Sequence, residues 1–252
     1  MPQMMRTSNP ALGDKTFNGL PRAYDAADRM SINGTINKTG ILLVCAIATA
    51  GFTWMQFVQT RDVSSVMPWL LVGGLGGFIT AMVTIFKKEW SPVTAPLYAL
   101  LEGLVLGGIS AVFELRYPGI AIEAVALTFG TLFMMLFLYR TRVIQATEKF
   151  RIGVFAATGA IALFYLLQMV LGFFHFQFTT INGSGPIGIG FSLLVVGIAA
   201  FNLLLDFDFI QRGAEYGAPK YMEWYGAFSL MVTLIWLYLE MLRLLSKINR
   251  RN

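Results

Sequence analysis

The stretch IGIGFSLLVVGIAAFNLLL, residues 187–205, decides the fold because it runs for nineteen residues without a charged side chain. About twenty apolar residues suffice for an α-helix to cross a bilayer, and a helix satisfies its own backbone hydrogen bonds in lipid. Similar apolar segments recur along the chain, and the predicted spans are 39–58, 68–86, 95–113, 120–139, 152–174, 187–205 and 226–245. We therefore predict an all-α, polytopic membrane protein built as a seven-transmembrane-helix bundle.

The composition of the whole chain agrees with this prediction. Of its 252 residues, 56% are hydrophobic and 13% are charged, and the mean hydropathy is +0.64. The net charge of +5 is interpreted as topogenic charge and contact with anionic headgroups, so the expected partner is the lipid bilayer and not nucleic acid. One cysteine and one histidine exclude a disulfide framework and a multi-histidine metal site.

The chain divides into two predicted regions. Residues 1–35 are polar and rich in turn-forming residues, which is typical of a flexible N-terminal arm. Residues 36–252 form the seven-helix transmembrane domain.

The distribution of lysine and arginine predicts a cytoplasmic N-terminus. With that orientation the inner loops and the arm collect most of the positive charge, whereas the outer loops hold only Arg61 and Arg116. The inner residues are Arg6, Lys15, Arg22, Arg29, Lys38, Lys87, Lys88, Arg140, Arg142, Lys149, Arg151, Arg212 and Lys220. Seven crossings would place the basic tail at residues 243–251 outside, whereas its positive charge favours the inside. Either the tail is an exception to the positive-inside rule or one late segment is re-entrant.

Acidic residues within the apolar segments are the candidate functional groups, since ionisable side chains at membrane depth are costly and rare. Glu102 interrupts the third segment, Asp206 closes the sixth and Glu240 lies in the last. The apolar segments contain no lysine or arginine opposite these acids, so bound protons or shared cations must compensate their negative charge. We predict that Asp206, Glu240 and Glu102 sense pH and gate an ion path, with Asp206 as the candidate metal ligand.

Three further residues are predicted to support these acids. Asn202 lies four residues before Asp206 and shares its helix face, whereas Asp208 points away and is expected to pair with Arg212 one turn later. Arg243 lies three residues after Glu240 and could neutralise it, and this structural interpretation is weighed equally with a functional one.

Enzymatic activity is not predicted, and neither is a cofactor. The last span has no aspartate for an aspartyl membrane protease, and no phosphate-cradling glycine loop is followed by Lys and Ser or Thr. A retinal protein needs a lysine inside its final helix, whereas Lys247 lies beyond the predicted end of that helix.

The stretch DFDFIQRGAEYG, residues 206–217, resembles the end of the sixth helix and the following loop of the Bax inhibitor-1 family, whose bacterial members include the YccA-like proteins. The pieces SNP at 8–10, NGTINKTG at 33–40 and YGAPKYMEWY at 216–225 look like a bacterial subgroup of that family. The resemblance implies a bundle with the last helix central and a pH-sensitive calcium leak gated by aspartates on the sixth and seventh helices. Asp206 matches the first aspartate. An ungapped match puts residues 231–233 near the second, and the nearest acid is Glu240.

Two functions are therefore expected as alternatives. The first is a proton-sensitive calcium or cation leak in the bacterial inner membrane, with Asp206 as sensor, Glu240 or Glu102 as its partner and calcium as the transported ion. The second is a non-transporting membrane interaction protein that modulates a membrane-quality-control protease or another membrane protein partner.

Overall fold

The computed structural model describes residues 28–174 and 179–250, and these residues form seven long helices. They are α1 (Ile32–Thr60), α2 (Met67–Phe86), α3 (Ser91–Arg116), α4 (Ile120–Arg140), α5 (Glu148–Phe173), α6 (Pro186–Tyr216) and α7 (Met222–Asn249). All seven are long and apolar enough to cross a membrane. Short helical turns at Val63–Ser65, Lys88–Trp90 and Thr179–Asn182 lie between them. The described part of the chain contains no β-strand, so the all-α prediction is confirmed.

Local capping sets the ends of the helices. The Ser31 side chain accepts a hydrogen bond from the Gly34 amide at the start of α1, and the Thr147 side chain does the same for α5. Pro186 occupies the first position of α6, where its missing N–H costs nothing. Gly217 ends α6 with a φ of 74°, a conformation that glycine adopts without a side-chain clash.

Several helices extend beyond the apolar segments that predicted them. Helix α1 begins at Ile32, so residues 32–35 belong to it and not to the predicted arm, whose residues 1–27 lie outside the described chain. Helix α7 continues to Asn249 and includes Lys247, which corrects the placement of this lysine beyond the final helix. Apolarity predicts the part of a helix that lies in lipid, whereas the actual ends depend on caps and polar contacts.

The last helix lies at the centre of the bundle, as the resemblance implies. In the 18-residue apolar stretch of α7, 67% of the residues are buried, compared with at most 39% in the corresponding stretch of each of the other six long helices. It packs against α1, α3, α4 and α6. The largest hydrophobic cluster joins α7 residues such as Leu237 to Leu203 of α6 and Ala124 of α4.

The two ends of the described chain lie at opposite ends of the bundle. The Met30 amide donates to the Ala218 carbonyl, just beyond the C-terminus of α6. The Lys247 ammonium donates to the Gly188 carbonyl, near the N-terminus of the same helix. Because α6 spans about 45 Å at 1.5 Å per residue, α6 and α7 both traverse the bundle, and neither is the re-entrant segment considered above.

Glycines bring three helices into close contact. A Cβ on Gly107 of α3 would lie 2.1 Å from the Ala50 carbonyl oxygen of α1, and one on Gly103 would lie 2.3 Å from the Ala46 oxygen. Gly73 of α2 faces the Leu101 carbonyl of α3 in the same way, at 2.5 Å. The GxxxG step in α3 is therefore a packing surface on which backbones approach each other directly.

Candidate functional site

Asp206 lies in the interface between α6 and the central helix α7, and its side chain is almost fully buried at 1% exposure. The Ser229 hydroxyl on α7 donates a hydrogen bond to Asp206 Oδ1 at 2.6 Å. Asp206 Oδ2 is buried and has no hydrogen-bond partner among the described residues. One carboxyl oxygen is thus held by a neutral hydroxyl, and the other is held by no protein donor.

Ser229 is a residue that the sequence analysis missed. It lies close to the 231–233 stretch that an ungapped match placed opposite Asp206, and the Thr233 hydroxyl of that stretch also interacts with the Asp206 carboxyl. The Thr233 hydroxyl donates to the Ser229 carbonyl at 3.3 Å, so the two hydroxyl residues are one turn apart on α7. This short polar stripe in an apolar helix was the available signal.

Glu240 is also buried at 1% exposure, but its surroundings differ from those of Asp206. Arg243 Nη1 donates to Glu240 Oε1 at 2.7 Å, and the Tyr165 hydroxyl of α5 lies 3.0 and 3.1 Å from the two carboxylate oxygens. The Arg243 guanidinium also stacks on the Tyr165 ring, 4.9 Å from its centroid. Arg243 therefore neutralises Glu240, as the structural interpretation of this pair expected.

The predicted facing pair of carboxylates is not formed in this structure. Glu240 lies eleven residues beyond Ser229 on α7, which corresponds to about 16 Å along the helix axis. Glu102 faces a different helix, because its Oε1 would lie 2.7 Å from a Cβ on Gly77 of α2. Asp206, Glu240 and Glu102 therefore occupy three separate places, and neither Glu240 nor Glu102 is the direct partner of Asp206.

The supporting residues also have separate partners. Asp208 Oδ2 pairs with Arg212 Nη2 at 2.7 Å and with Arg151 Nη2 of α5 at 2.8 Å. Asn202 Nδ2 donates to the Thr158 hydroxyl of α5 at 2.8 Å and to the Ile198 carbonyl at 2.9 Å. Asn202 therefore contacts α5 while Asp206 contacts α7, although the two residues are one turn apart.

A third buried carboxylate, Glu223, was not predicted as a site residue. It is 2% exposed and forms an ion pair with Lys38 of α1. The Ser31 amide and hydroxyl both donate to Glu223 Oε1 at 2.9 Å. Since these partners lie at the start of α1, Glu223 links the beginning of α1 to the beginning of α7. In the sequence, the available signal was the presence of the polar residues Ser31 and Lys38 near the start of the first span.

Asp206 stands out when the three buried carboxylates of the described ranges are compared. Glu223 has Lys38 and Glu240 has Arg243 as ion-pair partners, whereas the hydrogen-bonding neighbours of Asp206 are the hydroxyls of Ser229 and Thr233. Within residues 28–174 and 179–250, no group of three or more His, Cys, Asp or Glu side chains could hold a metal ion. Asp206 therefore lacks the further acidic ligands that a resident calcium site would need.

Comparison with protein families identifies the chain. The family model described as Bax inhibitor 1 like matches residues 9–250. The chain belongs to the Bax inhibitor-1 family. Neither a curated protein nor a solved structure matched it significantly. Family membership and the seven apolar helices together make this a multi-pass membrane protein.

This Bax inhibitor-1 family member departs from the aspartate pair that the resemblance implies. Asp206 occupies the position on the sixth helix, but the hydroxyls of Ser229 and Thr233 face it from the seventh. A hydroxyl can donate to an ionised carboxylate and can also accept from a protonated one, whereas a second carboxylate would add negative charge. At Asp206, the α6–α7 contact in this family member therefore joins one ionisable group to neutral hydroxyl partners.

Proposed function

We propose that this chain is a proton-sensitive cation leak of the bacterial inner membrane, with calcium as the transported ion and Asp206 as the sensing carboxylate. The observation that carries the proposal is the buried Asp206 carboxyl, which has one bond to Ser229 and an unpartnered Oδ2. An ionised carboxylate in such a place is unfavourable by several kcal/mol unless a proton or a cation compensates its charge. Protons and cations therefore compete for the same group.

The location of Asp206 links its protonation state to the packing of the bundle. When Asp206 is ionised, the Ser229 hydroxyl must donate to it, and when Asp206 is protonated, the hydroxyl can accept instead. Because Ser229 belongs to the central helix, each protonation state favours its own α6–α7 contact. A change in pH then shifts the populations of closed and open bundles.

Glu223 and Glu240 extend this arrangement along α7. Six residues separate Glu223 from Ser229, and eleven more separate Ser229 from Glu240, so the two glutamates lie about 25 Å apart along the central helix, and Asp206 of α6 faces it between them. Lys38 forms an ion pair with Glu223, and Arg243 forms one with Glu240. In the proposed leak these ion pairs open when a cation passes, and Asp206 is the point between them where pH acts.

The test measures calcium flux into indicator-loaded liposomes that contain the full chain, from mildly acidic to mildly alkaline pH. Asp206→Asn keeps the shape of the side chain but removes its titration, so we expect it to abolish the pH dependence and to change flux at least about fivefold at one end of the range. An unchanged flux and pH profile would remove Asp206 from the mechanism. Wild-type flux equal to that of protein-free liposomes would favour the non-transporting interaction protein instead.

Asp62→Asn is the matched control. Asp62 is exposed in the α1–α2 connection, where donors from the Ser64 side chain and backbone lower the pKa of its carboxyl. Asp62 therefore stays ionised over the tested pH range, and asparagine can replace it as a cap. We expect Asp62→Asn to keep the wild-type flux and pH profile.

A further inference from the structure

A large cavity opens at the end of the bundle where α7 terminates. It has a volume of about 820 Å³ and is lined by the C-terminal parts of α3, α5 and α7 and by the start of α6. Four of its lining residues are cations and none is acidic; the cations are Arg116, Arg243, Lys247 and Arg250. Glu240 neutralises Arg243, but the other three cations leave the lining net positive, so it would attract an anion.

The hydrogen bonds at this cavity show which cations can bind a ligand directly. Lys247 Nζ donates to the Ile181 carbonyl, the Gly188 carbonyl and the Ser192 hydroxyl, which uses all three of its N–H groups. Arg243 uses one N–H group to donate to Glu240, and its guanidinium has five such donors. Arg116 and Arg250 are exposed. Three arginine side chains can therefore offer donors, while Lys247 contributes its charge.

Apolar residues form part of the same lining. Phe113 of α3, Met169 of α5 and Phe191 of α6 line the cavity beside the cations, and Met169 is also 58% exposed on the outer surface of the bundle. The cavity thus combines arginine guanidinium groups, whose geometry matches the oxygens of a phosphate, with apolar side chains that can contact an acyl chain. An anionic phospholipid presents both features at once, a phosphate for the arginines and an acyl chain for the apolar wall.

We propose that the cavity bounded by Arg116, Arg243, Lys247 and Arg250 binds a phosphate-bearing anion, and that its source is the headgroup of an anionic phospholipid. The phosphate oxygens accept from the three guanidinium groups, and an acyl chain lies along Phe113 and Met169. This site is separate from Asp206, and Arg243 is the residue that it shares with the proposed leak.

The test uses the purified full chain in detergent and measures retained lipid by native mass spectrometry, with phosphatidylglycerol compared against zwitterionic phosphatidylethanolamine. We expect the wild-type chain to prefer phosphatidylglycerol, and Arg116→Gln/Arg250→Gln to weaken that preference about tenfold. Both arginines are exposed, and an unchanged thermal midpoint of the variant verifies its fold. An unaltered preference in the folded variant would overturn the proposal.

A charge-matched variant and a soluble ligand complete the experiment. Arg61→Gln/Arg140→Gln removes two exposed arginines that do not line the cavity, and it should keep the wild-type preference. An equal loss in this variant would contradict a defined site, since only overall charge would then matter. Glycerol 3-phosphate is added as competitor: displacement of the lipid at millimolar concentration would support the phosphate site with a soluble phosphate as its source, and retention of the lipid would support the lipid source.

Discussion

The buried carboxylates Glu223 and Glu240 of α7 and Asp206 of α6 differ in how their charge is compensated. Glu223 and Glu240 each have a cation and further donors, so their ionised forms are stabilised by fixed partners. Asp206 is met by the neutral hydroxyls of Ser229 and Thr233, and its Oδ2 has no hydrogen-bond partner within 3.5 Å among the described residues. Because the penalty for burying a charge depends on its partners, the ionised form of Asp206 is the least compensated of the three.

Ser229→Ala tests the contact on which Asp206 depends. The substitution removes the hydroxyl that donates to Asp206 and leaves a buried carboxyl without its donor, at a cost of roughly 1–3 kcal/mol. We expect a lower thermal midpoint in detergent, and Ser229→Thr should restore part of the loss because it retains a hydroxyl. Ser246→Ala is the control, since Ser246 donates only to the Arg243 carbonyl on its own helix. Equal midpoints for Ser229→Ala and Ser246→Ala would contradict the assigned contact.

The sequence locates Asp206 but not its partner, and the reason is physical. A charged group that closes an apolar segment is visible in the sequence by itself, whereas a serine in a helix is common and carries no such signal. The same holds for Glu223, whose partner Ser31 lies 192 residues away. Contacts of this range arise only when α1 packs beside α7, so no local pattern predicts them.

At the scale of the helices, the close contact between α1 and α3 is the most demanding packing feature. Gly103 and Gly107 lie one turn apart and face backbone atoms of Ala46 and Ala50. In lipid, where apolar side chains gain little by leaving their solvent, such close backbone contact is a main source of helix association. The α1–α3 pair should therefore be sensitive to small increases in side-chain volume.

Gly107→Ala and Gly130→Ala apply one substitution to two different environments. A Cβ on Gly107 would lie 2.1 Å from the Ala50 carbonyl oxygen and 2.2 Å from the Thr53 hydroxyl, whereas a Cβ on Gly130 of α4 meets nothing within 4 Å. We expect Gly107→Ala to destabilise the fold by roughly 1–3 kcal/mol through overpacking. Gly130→Ala should be neutral or stabilising by up to about 1 kcal/mol because alanine favours the helix. Thermal unfolding in detergent checks both, and destabilisation of similar size at the two sites would refute the packing argument.

The helices themselves were largely predictable, but their ends were not. Long apolar segments identify all seven spans because lipid demands about twenty apolar residues. Helix α6, however, continues eleven residues past the predicted end at 205, through Asp208 and Arg212 to Tyr216. The ion pairs of Asp208 with Arg151 and Arg212 and the cap at Gly217 keep this polar part helical, and the hydropathy pattern contains none of that information.

At the scale of the whole molecule, the described cations separate between the two ends of the bundle. One end is marked by Met30 and Ala218, and the other by Gly188 and Lys247. The first end holds Arg29, Lys38, Lys87, Lys88, Arg140, Arg142, Lys149, Arg151, Arg212 and Lys220, and the second holds Arg61, Arg116, Arg243, Lys247 and Arg250. The second group includes Arg243, which Glu240 neutralises, and Lys247, which three protein oxygens hold. The excess at the first end favours its cytoplasmic location.

Cysteine labelling of intact spheroplasts tests this orientation. In a Cys45→Ala background, Asp62→Cys places an exposed thiol at the second end of the bundle, and Arg140→Cys places one at the first end, where neighbouring Tyr139 contacts Gln211 near the C-terminus of α6. A membrane-impermeant maleimide should label Asp62→Cys directly and Arg140→Cys only after permeabilisation, because the positive-inside rule puts the first end in the cytoplasm. The reverse pattern would invert the orientation while keeping seven crossings. Labelling of both thiols in intact spheroplasts would contradict the arrangement itself, since α4 must carry the chain from one end of the bundle to the other.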